Sequence, residues 1–244
     1  MRVALFATCL VDLMRPEVGI ATLSLLEAAG CEVELPMLAC CGQPAYNSGA
    51  RDAARELAQR AVAALEGFDW VVLPSGSCGG MIRTHYPDLL DDDPVWRARL
   101  QALLPRVREL SEFLLQVARP AKLPLQPDPD APATVTYHDS CSGLRELGIA
   151  SGPRQLLQES GITVQEMENS RACCGFGGTF ALKYGDISAA ICDEKCAAAC
   201  ASGAQALVLG DTGCLLHIEG RLRRTGSSLP VLHYAQLLAG KTEA

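Results

Sequence analysis

The sequence predicts an α/β protein of two pseudo-symmetric lobes, each a parallel sheet flanked by helices, with cysteines at the C-terminal ends of the strands. Three observations lead to this reading. The interval from Cys9 to the pair Cys40–Cys41 and on to Cys78 recurs almost unchanged from Cys141 to Cys173–Cys174 and on to Cys214, so the chain is written twice. Each cysteine follows a short apolar, β-branched run. Segments of helical periodicity separate those runs, and alternation of strand and helix implies right-handed crossovers between parallel strands.

In the first half the strand-like runs are RVALFATC, VELPMLACC and DWVVLPSGSC; in the second they are ATVTYHDSC, ITVQEMENSRACC and QALVLGDTGC. Between them, ATLSLLEAAG, ARDAARELAQRAVAALEGF, GPRQLLQESG and ISAAICDEKCAAACASGA carry helix-forming content, several ending at glycine. Residues 120–132, PAKLPLQPDPDAP, hold five prolines and read as an extended linker. The expected organisation is therefore a first cysteine-rich domain over residues 1–119, the linker 120–132, and a second cysteine-rich domain over residues 133–244. The first half also carries an insertion, YPDLLDDDPVWRARLQA, read as an acidic loop at Asp91 to Asp93 followed by a surface helix. The alternative is that its Trp96 and Leu100 pack against the partner domain.

Composition narrows the function. The 244 residues are 49% hydrophobic and 20% charged, an ordinary globular balance. A net charge of -7 excludes nucleic acid and anionic membrane surfaces as main partners. No stretch approaches the roughly 18 apolar residues of a membrane span, and the N-terminus has no secretion signal, so a cytoplasmic location without membrane insertion is expected. In that reducing compartment the 12 cysteines are not a disulfide framework. Adjacent cysteines cannot easily close on each other, because their Cα atoms stand only ~3.8 Å apart. Convergence of strand ends brings Cys9, Cys40, Cys41 and Cys78 to one metal centre and Cys141, Cys173, Cys174 and Cys214 to another. All-thiolate ligation suits either tetrahedral zinc or an iron-sulfur cluster. Glycines beside the sulfurs, among them Gly42, Gly79, Gly175 and Gly213, let backbone amides approach inorganic sulfide.

Around these centres Arg145, Arg171 and Lys183 are candidate counter-cations, and His138, Asp139 and His217 candidate ligands, proton donors or, by preference, hydrogen-bonding supports. Cys192, Cys196 and Cys200 share one helix face and, with Cys31, are read as buried core. No G-x-G-x-x-G or G-x-S-x-G pattern is present, which disfavours a nicotinamide dehydrogenase or a serine hydrolase.

The stretches FATCLVDLMRPEVG, CCGQPAYNSG, PSGSCGGM, HDSCSGLRELGI, CCGFGGTFALKYGDIS with the following DEK, and LGDTGC resemble, in order and over nearly the whole chain, the CCG cysteine-rich domain family, most closely its lactate-utilization branch. Other branches are the cysteine-rich subunit of heterodisulfide reductase and the glycolate oxidase iron-sulfur subunit. The resemblance implies an oxidoreductase subunit, not NAD-dependent, that transfers electrons in a cytoplasmic complex oxidising L-lactate to pyruvate. Its partners would be a ferredoxin-like iron-sulfur subunit and a third small subunit. It implies one or two [4Fe-4S] clusters on the eight cysteines, with zinc in one half as an alternative, the first half by preference. Where the heterodisulfide reductase subunit closes each half with Cys-x-x-Cys, this chain has Ser75-x-x-Cys78 and Asp211-x-x-Cys214, which argues against a five-cysteine cluster. A zinc-stapled scaffold and a heterodisulfide or thiol-disulfide reductase subunit remain as alternative readings.

Overall fold

The computed structural model describes residues 1–38, 40–126 and 128–240. Among these, eight strands form two four-stranded parallel sheets. The first holds β1 (Arg2–Leu5), β2 (Glu32–Glu34), β3 (Trp70–Leu73) and β4 (Val107–Glu109), in the order β2-β1-β3-β4. The second holds β5 (Thr134–His138), β6 (Thr163–Val164), β7 (Ala206–Leu209) and β8 (Val231–His233), in the order β6-β5-β7-β8. The α/β class and the two lobes expected from the duplicated pattern are present.

The order matters more than the count. After β1 the chain steps to one side and forms β2, then crosses back over β1 to form β3 on the other side. The crossovers leaving β1 and β3 diverge, and a crevice opens beyond their carboxyl ends, as at any topological switch point of an open parallel sheet. The second sheet repeats this at β5 and β7.

The central strands are short because they need only span a core: β3 and β7 read WVVL and ALVL and, Trp70 apart, are buried on both faces. Two of the four edge strands, β4 and β8, are not marked in the sequence. VRE at β4 and VLH at β8 are three-residue segments paired on one side only, too short for periodicity to mark. The runs VELPMLACC and ITVQEMENSRACC also extend less far as strand than expected. Pairing with β1 and β5 ends at Glu34 and Val164, and the chain reaches each cysteine pair through a loop.

The lobes share a core. One cluster of buried side chains runs from Leu5, Leu25 and Phe113 to Tyr137, Leu156 and Tyr234. The helix Pro16–Ala28 of the first lobe packs on Tyr234–Ala239 of the second, and Ser151–Glu159 packs on Leu110–Gln116, a reciprocal exchange. Separate outer clusters back each cysteine site, around Phe6, Leu73 and Tyr86 in one lobe and Leu207, Leu215 and Ile218 in the other. The insertion packs on its own lobe: Leu100 and Leu103 of helix Pro94–Leu103 join that first outer cluster, so Trp96 and Leu100 do not reach the partner lobe. Of the cysteines read as core, Cys31, Cys192 and Cys196 are buried, but Cys200 is exposed. It lies one residue before the end of helix Gly185–Ala201.

At the seam, Glu109 caps helix Leu110–Gln116 by accepting from the Ser111 amide at 2.8 Å, and it also accepts from the Tyr234 hydroxyl at 2.5 Å. Burial pushes its carboxyl up from 4.5 to about 7, against the hydrogen bonds from Ser111 and Tyr234. A raised carboxyl pKa favours folding fully below the unfolded value, and that contribution is lost as pH rises through about 7. Glu109→Gln keeps an acceptor without a charge. Its stability relative to the unsubstituted chain should improve by roughly 2–3 kcal/mol between pH 5 and pH 8. Urea unfolding at several pH values checks this, and parallel pH profiles for the two chains would refute it.

Candidate metal centres at the lobe interface

The turn after each switch-point strand places a cysteine at the start of a helix. Cys9 opens the helix Cys9–Met14 after β1, and Cys141 opens Cys141–Glu146 after β5. Cys78 lies in Gly76–Gly80 after β3, and Cys214 in Thr212–Arg224 after β7. The N-cap residues hold these turns: Ser75 Oγ accepts from the Cys78 amide at 3.4 Å, and Asp211 Oδ1 accepts from Gly213 and Cys214. The cysteine pairs arrive on the loops after the edge strands β2 and β6. There Gly42 and Gly175 adopt φ of 84° and 89°, a left-handed turn that a side chain strains. In that turn the Gly42 amide donates to Cys40 Sγ at 3.4 Å and the Gly175 amide to Cys173 Sγ at 3.3 Å.

The structure brings cysteine sulfurs close together in each lobe. In the first lobe Cys9 and Cys40 Sγ lie 3.8 Å apart, and Cys41 and Cys78 Sγ 3.3 Å apart. In the second, Cys174 and Cys214 Sγ lie 3.2 Å apart, and Cys173 interacts with both Cys141 and Cys174. These contacts set the acidities. Cys40 is pulled far below an ordinary thiol by hydrogen bonds from Cys41 and Cys9, with the Gly42 amide adding. Cys173 is lowered in the same way by Cys141 and Cys174. Their donors Cys9, Cys41, Cys141 and Cys174 are pushed up. Each lobe thus offers one thiolate backed by thiols that lose protons when a soft cation binds.

The supporting cations differ from expectation. Arg145, Arg171 and Lys183 are exposed. The buried cation is Lys195, only 2% exposed, on the same helix as Cys192 and Cys196. Its ammonium donates to the carbonyls of Asn169 and Ser170 and lies in the field of Cys174, Asp139, Cys173 and Cys214. The DEK tripeptide was its only mark in the sequence. Asp139 accepts two hydrogen bonds from Arg154, at 2.7 and 2.9 Å, so it is the buried end of a salt bridge. His217 Nε2 lies 3.2 Å from Ser188 Oγ, which in turn donates to the Gly175 carbonyl and braces the second cysteine loop. His138 is fully buried on β5, and among the described residues neither ring nitrogen completes a hydrogen bond. Burial and the Lys195 charge lower its pKa to about 4, against Asp139, Cys173 and the Ser170 carbonyl, so the imidazole is neutral at pH 7.

The two cysteine sites meet across the seam. Gly76 is so close to Gly143 that a Cβ on it would come within 2.8 Å of the Gly143 Cα. Its amide donates to the Gly210 carbonyl at 3.2 Å. Asp211 Oδ2 accepts from the Ser77 amide at 2.8 Å and from Ser75 Oγ at 3.1 Å. A cavity of ≈ 290 Å³ lies here, lined on one side by Cys9, Cys40, Cys41 and Cys78 and on the other by Phe176 and Leu182. A larger cavity of ≈ 480 Å³ lies between Pro124 and residues 128–133 on one side and helix Tyr234–Ala239 on the other, and holds no cysteine among the described residues.

The two CCG glycines are unequally confined. A Cβ on Gly175 would come within 2.5 Å of the Ser188 carbonyl, whereas on Gly42 it would meet Leu57 Cβ at 3.2 Å. Gly175→Ala should therefore cost more than Gly42→Ala, by about 1–2 kcal/mol beyond the shared strain of a left-handed alanine. It should also lower bound metal in the second site more than Gly42→Ala does in the first. Thermal unfolding and metal content of the two variants test this, and equal losses would contradict it.

Comparison with known proteins agrees with this arrangement. The CCG cysteine-rich domain matches twice, over residues 3–83 and 135–219. Lactate utilization protein A of Macrococcus caseolyticus is 44% identical over 100% of this chain and 98% of its own length. That of Bacillus thuringiensis is 41% identical over 99% of this chain and 100% of its own. A hypothetical protein from Helicobacter pylori of known structure shares the fold at a TM-score of 0.69 and 12% identity; the match covers 99% of this chain but only 49% of that one. The twice-repeated cysteine pattern, the two matched sheets and full-length identity above 40% together place the chain in the lactate utilization protein A family of CCG cysteine-rich domain proteins.

Proposed function

We propose that this chain is the iron-sulfur electron-transfer subunit of a cytoplasmic multi-subunit complex that oxidises L-lactate to pyruvate, independently of NAD. Its partners in this reading are a ferredoxin-like iron-sulfur subunit and a third small subunit. Cys9, Cys40, Cys41 and Cys78 would hold one [4Fe-4S] cluster, and Cys141, Cys173, Cys174 and Cys214 the other. The observation that carries the reading is the pair of four-cysteine groups, pseudo-equivalent and adjacent across one seam. The residues fit such a group. The donors are soft, the Gly42 and Gly175 amides already point at sulfur, and buried Lys195 supplies positive charge beside a negative centre. A bound cluster supplies one-electron chemistry; the chain's own residues hold it, exclude water and set its surroundings.

Substrate binding is a poorer fit for this chain. The cavity at the first site is lined by no lysine, arginine or histidine among the described residues, and a small carboxylate is ordinarily met by a cation. Its walls include Leu10, Pro44, Phe176 and Leu182, which suit contact with another protein. In this reading the oxidation of lactate belongs largely to the partner subunits.

Zinc is a second reading with one observation in its favour. Candidate ligand atoms of His138, Cys174 and Cys214 all lie within 4.8 Å of one another, compact enough for a single tetrahedral ion. That grouping favours the second lobe for zinc, where the family resemblance pointed to the first.

Anaerobic reconstitution followed by iron, sulfide and zinc analysis and EPR tests the proposal. Two clusters are expected, with Cys41→Ser and Cys174→Ser each removing one and leaving the other. With the partner subunits present, L-lactate should reduce the clusters faster than D-lactate or glycolate. Zinc alone in both sites, or clusters that lactate and the partners leave oxidised, would overturn it.

A further inference from the structure

The two lobes are not chemically equal, and the difference lies three residues before the first cysteine of each. Phe6 precedes Cys9 and His138 precedes Cys141 by the same step, each just at or past the end of the central strand of its sheet. Phe6 is buried in the outer cluster that also contains Cys41 and Cys78. His138 takes the equivalent place beside Cys174 and Cys214, with its candidate ligand atom within 4.8 Å of both sulfurs. A phenyl ring at that place makes no polar demand. An imidazole buried there with neither nitrogen hydrogen-bonded does, and desolvation without a partner is costly.

The neighbours bear on what the ring can meet. Lys195, whose charge acts on the ring, donates to the carbonyls of Asn169 and Ser170, and Asp139 is held by Arg154. The Ser170 carbonyl is near enough to the ring to act on its charge, and the Cys174 and Cys214 sulfurs lie within 4.8 Å of its candidate ligand atom. A metal-bound histidine commonly directs one nitrogen to the cation and the other to a backbone carbonyl, and this ring has thiol sulfurs and the Ser170 carbonyl as neighbours. We infer that His138 is a ligand of the second centre, beside Cys174 and Cys214 and in place of one of that lobe's other two thiolates, so that this centre has mixed sulfur and nitrogen coordination while the first has sulfur alone.

The inference rests on the reading of the cysteines as metal ligands, but not on which metal they hold. Its test is a nitrogen count. The full chain, reconstituted with natural-abundance or 15N-labelled histidine, would be compared with His138→Phe, Cys41→Ser and Cys174→Ser. The probes are X-ray absorption at the edge of the bound metal and, for a reduced cluster, pulsed EPR. His138→Phe copies Phe6, so a ring of that shape already has a precedent at the equivalent place. One imidazole nitrogen per chain is expected. It should persist in Cys41→Ser and vanish in Cys174→Ser and His138→Phe, while the first centre keeps its metal and spectrum. Absence of nitrogen from the unsubstituted chain, its survival in His138→Phe, or failure of Cys41→Ser to bind any metal would overturn the inference. If analysis finds zinc and no iron, the iron-sulfur proposal falls, and the nitrogen count at the zinc edge still decides the role of His138.

Discussion

The constraint on which the rest depends is the divergence of the chain at two switch points, between β1 and β3 and between β5 and β7. A parallel sheet cannot close its own carboxyl edge where the crossovers part. In this molecule the gaps are filled by sulfur. Cys9 and Cys78 flank one gap and Cys141 and Cys214 the other, and the edge-strand loops bring in the cysteine pairs from the side. Because the helices that follow β1 and β5 pack on helices of the opposite lobe, the two gaps face each other across one seam.

What the sequence disclosed follows from which signals are local. Cysteine spacing and the VVL and ALVL runs survive without tertiary context, because a buried parallel strand is apolar throughout and a thiol ligand has few substitutes. β4 and β8 were invisible, since a three-residue edge strand owes its existence to the neighbour it pairs with. Charge was misread for a related reason. Arg145, Arg171 and Lys183 stand close to cysteines along the chain yet point to solvent, whereas Lys195, distant along the chain, is folded underneath them. Proximity in sequence is a poor guide to an electric field when the field is assembled by helix packing.

The internal duplication provides a comparison that a single domain lacks. Equivalent positions in the two lobes have the same backbone setting, so each difference in side chain can be asked whether it changes the task. Glu109 and His233 both cap the helix after the fourth strand, each completing a capping box. Phe6 and His138 occupy equivalent ground and could hardly be less alike in polarity. The caps differ yet do the same work, which marks them as interchangeable architecture; the Phe6 and His138 pair does not.

Asp211 gives the seam a consequence for the history of the chain. Its carboxylate seats the turn that carries Cys214 and, with its other oxygen, the turn of the opposite lobe that carries Cys78. Once a doubled ancestor had adopted that shared acceptor, neither copy was free to drift alone at Ser75 or Asp211. A change in one half alters the footing of a thiol in the other, so these two positions would be inherited as a couple.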